Sequence, residues 1–379
     1  MNEQNPSTAA IVFAYLVVYI VWGSTFFFIE KALHSFPPFV LGSIRFIIAG
    51  TLLMGYCGLK GYKIFNRADI KQAMFVGFLL LFVDMAAIIW SEQYISSGIV
   101  SIISAATAIW FIIFDKPKWK ENFSSKPIIM GLLLGFSGVF MLFAEQIFAQ
   151  QDSAEKSQNL TAMAVMTLGT IGWTIGSLAS KYSQKRKPAI EQTDKTEKTE
   201  KTDKKKEEPL NVMVKTAWQM VTAGTTFTVV ALLTGEYQSF DYTRVLPADW
   251  GAMIYLVIMG SILAFSSYIW LLQMRPATEV STYAYVNPIV ALMLAHFFTN
   301  HQVTALQIFG LIIVLFSVLL MNWNLYKNNR TLRALRHRKK LKKLKNMAPK
   351  SSIPRIIEVA EFDYKEKKKL QKDKTENEA

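Results

Sequence analysis

The chain has 379 residues and a formal charge of +14; 51% of its residues are hydrophobic and 18% are charged, against roughly 25% charged in a soluble domain. The apolar residues fall in runs of about 16 to 24, long enough to cross a bilayer as helices, rather than in the amphipathic stripes of a soluble fold. One cysteine, Cys57, and 4 scattered histidines rule out a disulfide framework within one chain and offer no zinc spacing, so neither metal nor cofactor is expected.

Ten spans are read at roughly 10–30, 38–58, 72–91, 97–114, 127–145, 160–180, 211–234, 250–273, 279–298 and 303–325. The first holds Trp22 and Ser24 well inside its length. No basic region precedes it and no small-residue cleavage pattern follows, so it is expected to be retained. Arg45 lies seven residues from the start of the second span, and Asp84 seven residues from the end of the third. An ionisable group at mid-membrane costs about 2.5–3.5 kcal/mol on insertion scales and marks function by default. The two spans run in opposite senses, so both residues sit about 10 Å deep at 1.5 Å per residue, and an ion pair between them is expected. Such a pair fixes two helices, or else it offers Asp84 to a proton and Arg45 to an anionic substrate group. Glu92, just past the third span, is the other candidate for proton coupling.

The fourth span carries Ser104, Thr107 and Trp110, and the sixth carries Trp173. Gly131, Gly135 and Gly138 in the fifth span and Gly169, Gly172 and Gly176 in the sixth include GxxxG pairs. These are read as close packing, between the halves or along a dimer seam, so a monomer or homodimer is expected. Residues 184–210 contain TDKTEKTEKTDKKKEE, which cannot bury a core and reads as a disordered cytoplasmic linker. Gln219 lies in the seventh span and Tyr268 in the eighth. The ninth holds Tyr283, Tyr285, Asn287 and Pro288. Proline in the middle of an apolar helix removes a donor and presses on the carbonyl of Ala284, so a kink and a free backbone group are expected. In lipid such a group must be covered by protein or line a cavity. In the tail, Leu332, Leu335, Leu341 and Leu344 recur among nine Lys and Arg between Arg330 and Lys345. That is a basic amphipathic helix suited to anionic lipid. Because it follows a span directly, the bilayer and not nucleic acid is its expected partner.

Charge gives orientation. The loops after the even spans, with the tail, hold 37 of the 42 Lys and Arg, and the loops after the odd spans hold three. The basic side, with both termini, is expected to be cytoplasmic. A constant shift of 180 residues sets Ile89-Trp90 on Ile269-Trp270, Gln93 on Gln273, Val100-Ser101 on Val280-Ser281 and Thr107-Ala108 on Asn287-Pro288. A slightly different shift sets Arg45 and Ala49-Gly50 on Gln219 and Ala223-Gly224, and Trp22 pairs with Trp173. Five spans per half is an odd number, so the halves insert in opposite senses, a building plan of secondary transporters. The expected fold is an all-α polytopic membrane protein of ten transmembrane helices in two inverted five-helix repeats. Residues 1–150 form the first repeat and 151–183 begin the second. The linker is 184–210, the second repeat resumes over 211–326, and 327–379 is the basic tail.

Trp22, Ser24, Asp84, Ser104, Thr107, Trp110, Tyr268, Tyr283, Tyr285 and Asn287 are the candidate substrate-binding residues, because an apolar, aromatic pocket with a few polar anchors is the usual small-molecule site. Arg45, Gln219 and Pro288 are read as gating or structural, and Asp84 and Glu92 as coupling candidates. No Walker loop, HExxH motif, arginine ladder or selectivity filter is present, which argues against an ATP-driven pump, a zinc protease, a voltage sensor and a channel. No catalytic constellation is visible, and an enzyme is not expected.

Trp22-Gly23-Ser24-Thr25-Phe26, Arg45-Phe46 with Ala49-Gly50, Tyr94–Ile103 and above all Tyr283-Ala284-Tyr285-Val286-Asn287-Pro288 resemble the drug/metabolite transporter superfamily of the EamA type. The likeness covers about 11–145 and 160–325. It implies a cytoplasmic-membrane permease that moves small metabolites by alternating access, often an exporter of amino acids or related solutes. The family often carries a proline in the fourth span, where this chain has Ala108. It also often has an acidic residue after the fourth and ninth spans; Glu121 fits the first place, and Asn300-His301 stands at the second. The alternative reading is a non-transporting scaffold that recruits a cytoplasmic partner through linker and tail.

Overall fold

An apolar run in lipid must satisfy its own backbone, and the helix is the form in which it can. The computed structural model describes residues 8–148, 153–193, 209–275, 280–298 and 304–321; the expected tail helix and most of the linker lie outside the described residues. Among the described residues the regular structure is entirely helical. The principal helices are α1 (Ala9–Ala32), α2 (Pro38–Leu59), α3 (Arg67–Ser91), α4 (Ser97–Phe114), α5 (Lys126–Phe148), α6 (Ser153–Thr193), α7 (Val212–Leu233), α8 (Pro247–Met274), α9 (Tyr283–Phe298) and α10 (Ala305–Met321). Seven of them are long and apolar enough to cross a membrane; α5, α9 and α10 are apolar over shorter stretches. Phe13, Leu16 and Ile20 of α1, Leu133 and Phe140 of α5, and Ile312 and Phe316 of α10 are exposed. Apolar faces on this scale belong against lipid, and the chain is a multi-pass membrane protein.

The helix starts are capped. Pro38 opens α2, where a missing N–H costs nothing, and the Glu236 carboxylate accepts the free amides of Phe39 and Val40 at 2.8 and 3.0 Å. Burial pushes the Glu236 carboxyl above the ordinary glutamate range, and the two amides limit the rise. Asn66, Ser96 and Asn211 cap α3, α4 and α7 through their side-chain oxygens. Asp69 accepts the Leu210 amide at 2.8 Å and pairs with Lys215 at 3.4 Å, which ties the entry of α7 to the start of α3.

The tightest contacts are at glycines. A Cβ on Gly50 of α2 would come within 2.8 Å of the Val221 amide nitrogen, and one on Gly224 of α7 within 2.6 Å of the Ile47 amide nitrogen. The register that sets Gly50 on Gly224 also sets Ile47 on Val221, so the contact recurs with its partners exchanged, as across a two-fold axis. The same exchange recurs between α5 and α10. A Cβ on Gly135 would meet Ser317 Oγ at 2.9 Å, and one on Gly138 would meet Val314 Cγ2 at 2.9 Å. The register that sets Gly131-Leu132 on Gly310-Leu311 places Gly135 on Val314 and Gly138 on Ser317. Gly169, Gly172 and Gly176 seat α6 against α3 at Ala87, Val83 and Leu79. The glycines therefore pack helices within the chain.

Several expectations change in detail. Helix α6 runs to Thr193, ten residues into the expected disordered linker. The ninth span turns at Ser281-Thr282 before α9 begins, so Pro288 sits in the second turn of a helix and not at its middle. The fourth span breaks at Ala106, between Ser97–Ala105 and Thr107–Phe114, without a proline. Helices α1, α3 and α8 contain π-helical stretches at Val17–Val21, Phe78–Val83 and Leu256–Phe265, a form common beside functional sites. Under the 180-residue shift the second falls inside the third.

Candidate binding site

The α4 break and the Pro288 segment of α9 meet at one cavity. The cavity, holding about 520 Å³ of atom-free space, part of it open to solvent, is lined by Trp22, Thr25, Phe26 and Ile29 of α1 and by Asp84, Met85 and Ile88 of α3. Ser101, Ser104, Ala105 and Thr107 flank the α4 break, Trp173 enters from α6, and Tyr283, Ala284, Asn287 and Pro288 come from α9. Gly23 makes the approach of α1 and α9 possible: a Cβ there would lie 3.1 Å from the Asn287 carbonyl oxygen.

Side chains take up backbone groups of the π stretches. Trp22 Nε1 donates to the Gly260 carbonyl at 3.2 Å. With the Asn287 amide turned so that its nitrogen donates, it reaches the Tyr19 carbonyl at 2.9 Å and the Tyr283 carbonyl at 3.3 Å. Trp22 is also the hub of an aromatic cluster. Its ring lies 5.3 Å from Trp173 and 5.3 Å from Tyr283, both edge-on, and 4.9 Å from Tyr268. Such pairs contribute about 0.5–1.5 kcal/mol each beyond area burial, which makes this a rigid wall.

Of the sequence-predicted residues, Trp22, Asp84, Ser104, Thr107, Tyr283, Asn287 and Pro288 meet at the cavity. Tyr268 stands behind Trp22 with its hydroxyl 2.8 Å from Ser177 Oγ, and Tyr285 is a residue of α9. Ser24 turns away, donating to the Val21 carbonyl and lying 2.7 Å from the Tyr255 hydroxyl. Trp110 donates to Thr170 Oγ1 at 3.0 Å and packs edge-on against Phe136, outside the cavity. The expected Arg45–Asp84 ion pair does not form. Arg45 Nε donates to Ser261 Oγ at 2.8 Å, the guanidinium lies 4.9 Å from the Phe46 ring centre, and its electrostatic partner is Glu92. Equal depth fixed two coordinates but not the direction each side chain faces around its helix. Glu92 is buried beside Glu30, away from the cavity. Gln219 lines a smaller polar pocket with Gln72, Lys215 and Gln273.

Thr25, Phe26, Ile29, Ser101 and Trp173 were not assigned to the site from sequence. The first three follow Trp22 at three, four and seven residues, and Ser101 precedes Ser104 by three, so helical spacing from a known position would have found them. Trp173 was visible as the repeat partner of Trp22. Among the described residues no three His, Cys, Asp or Glu converge as metal ligands.

A polytopic helical protein with a central cavity built from both halves of the chain has the form of a membrane transporter. The EamA-like transporter family matches residues 9–144 and 204–323, and the chain belongs to that family. It is 26% identical over 316 residues to the "Uncharacterized inner membrane transporter YedA" of Escherichia coli K12, covering 83% of this chain and 90% of that one. It is 19% identical to the "Probable amino-acid metabolite efflux pump" of the same organism, over 79% of this chain and 90% of that one. A WAT1-related chloroplastic protein of Arabidopsis thaliana is 22% identical, over 80% and 67% of the two chains. A crystal structure 12% identical in sequence superposes with a TM-score of 0.55 over 84% of this chain and 99% of that one, which speaks to the fold alone. The protein is a membrane transporter rather than an enzyme.

Proposed function

We propose that the protein exports small metabolites, amino acids or related solutes, across the cytoplasmic membrane by alternating access of two inverted five-helix repeats about this cavity. The observation that carries the reading is the cavity itself, to which α1, α3 and α4 of one half and α6 and α9 of the other contribute. The exchanged glycine contacts at α2–α7 and α5–α10 support an internal two-fold relation. The relative named as an amino-acid metabolite efflux pump supports the solute class. In this reading residues 1–150 and 151–326, less the linker, are the moving units, and both termini are cytoplasmic. The tail binds anionic lipid. The turn at Ser281-Thr282, the α4 break and Pro288 supply the hinges. Glu92, buried without a hydrogen-bond donor, is the candidate for a coupled proton.

Proteoliposomes test this. Efflux of a preloaded solute from a panel of amino acids and amino-acid derivatives should be abolished by Thr107→Trp, which fills the cavity, and retained in Trp110→Ala, which lies outside it. Efflux that survives Thr107→Trp would place the path elsewhere. No efflux of any solute from well-folded protein would favour the scaffold alternative, and indifference to Glu92→Gln and to a pH gradient would remove the proton.

A further inference from the structure

We propose that the cavity selects a solute carrying an ammonium group on an apolar body, and that Asp84 holds the ammonium. The inference rests on the cavity being the transport site and narrows that reading: among the related solutes it favours amines over the amino acids themselves. Asp84 lines the cavity and is 5% exposed. Among the described residues it makes neither a hydrogen bond nor an ion pair, and Arg45, the cation nearest to it in depth, is engaged with Ser261 and Phe46. None of the described lining residues is Lys, Arg or His.

Much of the rest of the lining offers acceptors and none of it a positive charge. The hydroxyl protons of Thr25, Ser101 and Ser104 are donated to the carbonyls of Trp22, Gly98 and Val100 at 2.6, 2.6 and 2.9 Å, so these side chains have only lone pairs left to give. The Asn287 nitrogen is spent on two carbonyls, which leaves its oxygen. The Trp22 N–H is spent on Gly260. The remaining polar groups, Thr107, the Tyr283 hydroxyl and the Trp173 N–H, are uncharged; the last is a donor near the Tyr268 and Tyr283 hydroxyls that makes no hydrogen bond among the described residues. The rings of Trp22, Trp173 and Tyr283 meet nearly at right angles, at 79° and 82°. All three line the cavity, and an aromatic ring attracts a cation at its face. A buried carboxylate without a partner is costly and is offset by an opposite charge. A carboxylate on the ligand would find no basic partner here and would add to that cost. An amine therefore fits better than a zwitterion or an anion.

The test uses four probes of one shape on the purified full-length protein in detergent, with binding read by ligand-dependent thermal stabilisation. They are 2-phenylethylamine, phenylalanine, 2-phenylethanol and 3-phenylpropionate. The amine should bind about tenfold or more tighter than 3-phenylpropionate, the scale of a desolvated cation–π contact with a charge-assisted hydrogen bond, and about tenfold tighter than phenylalanine, whose added carboxylate must be desolvated with no basic partner. Asp84→Asn should weaken the amine about tenfold and leave 2-phenylethanol within about twofold. The preference among the wild-type probes stands as evidence even where the variant folds poorly. Phenylalanine or 3-phenylpropionate binding as tightly as the amine, or an amine affinity unchanged in Asp84→Asn, overturns the inference while leaving the cavity as the transport site. Binding of none of the four overturns both.

Discussion

Two polar clusters sit at opposite ends of α3. One gathers Glu92 just past the end of α3 with Arg45 of α2, Glu30 of α1 and Ser261 of α8. The other gathers Gln72 near its start with Gln219 and Lys215 of α7 and Gln273 of α8. Arg45 and Gln219 are matched positions of the two halves, and Gln273 matches Gln93, the neighbour of Glu92. Both clusters leave buried polar atoms without a hydrogen bond: Arg45 Nη1 and both Glu92 carboxylate oxygens in one, Gln219 Oε1 and Gln273 Nε2 in the other. The two clusters thus occupy positions that match in sequence while their chemistry differs. An unsatisfied amide costs about 1–3 kcal/mol, whereas an uncompensated buried charge costs more. The first cluster is therefore held together by charge, and the second tolerates neutral groups.

The largest effect should come from Arg45→Ala. It removes the charge-assisted bond to Ser261 and leaves the buried Glu92 without its cation, at a cost of about 3 kcal/mol. Thermal unfolding in detergent would show it, and a loss no greater than that of Gln219→Ala would refute the contrast between the clusters. Next come the contacts that the halves share. Gly224→Ala and Gly50→Ala each press a methyl on the backbone of the opposing helix and should cost about 1–3 kcal/mol. The double variant should cost less than the sum, because the helices need to part only once. Gly55, on the same α2, would find nothing within 4 Å of an added methyl and is the control: its change to alanine should stabilise by up to about 1 kcal/mol. Equal losses at Gly55 and Gly50 would mean that close packing is not what these glycines provide.

The seven helices long and apolar enough to cross a membrane were readable because lipid leaves the backbone one solution and hydropathy reports it directly. Trp22, Asp84, Thr107, Tyr283 and Asn287 were readable because polar and aromatic groups in mid-span are expensive and stand out. The facing of Arg45 was not readable. Depth follows from counting residues, but rotation about the helix follows from packing, and here the π stretch of α8 places Ser261 opposite the guanidinium. The α4 break at Ala106 carried no proline to announce it. Trp110 looked like Trp22 in composition and depth and differed only in the helix face it occupies, toward Thr170 and Phe136.

The smallest expected effect is the most discriminating. Gln219→Leu replaces a buried amide whose oxygen has no partner with an apolar side chain of similar size. Removing an unsatisfied group while keeping its volume is close to neutral or mildly stabilising, by up to about 1 kcal/mol. The same replacement at the matched position, Arg45→Leu, should remain strongly destabilising, because the Glu92 carboxylate it interacts with stays behind. Unfolding midpoints of the two variants, measured side by side, should therefore move by very different amounts and can differ in sign. If Gln219→Leu loses as much stability as Arg45→Leu, Gln219 has a partner in the working protein, such as the neighbouring Gln273 brought within reach by closure, and the glutamine cluster would then be held as tightly as the Arg45–Glu92 one.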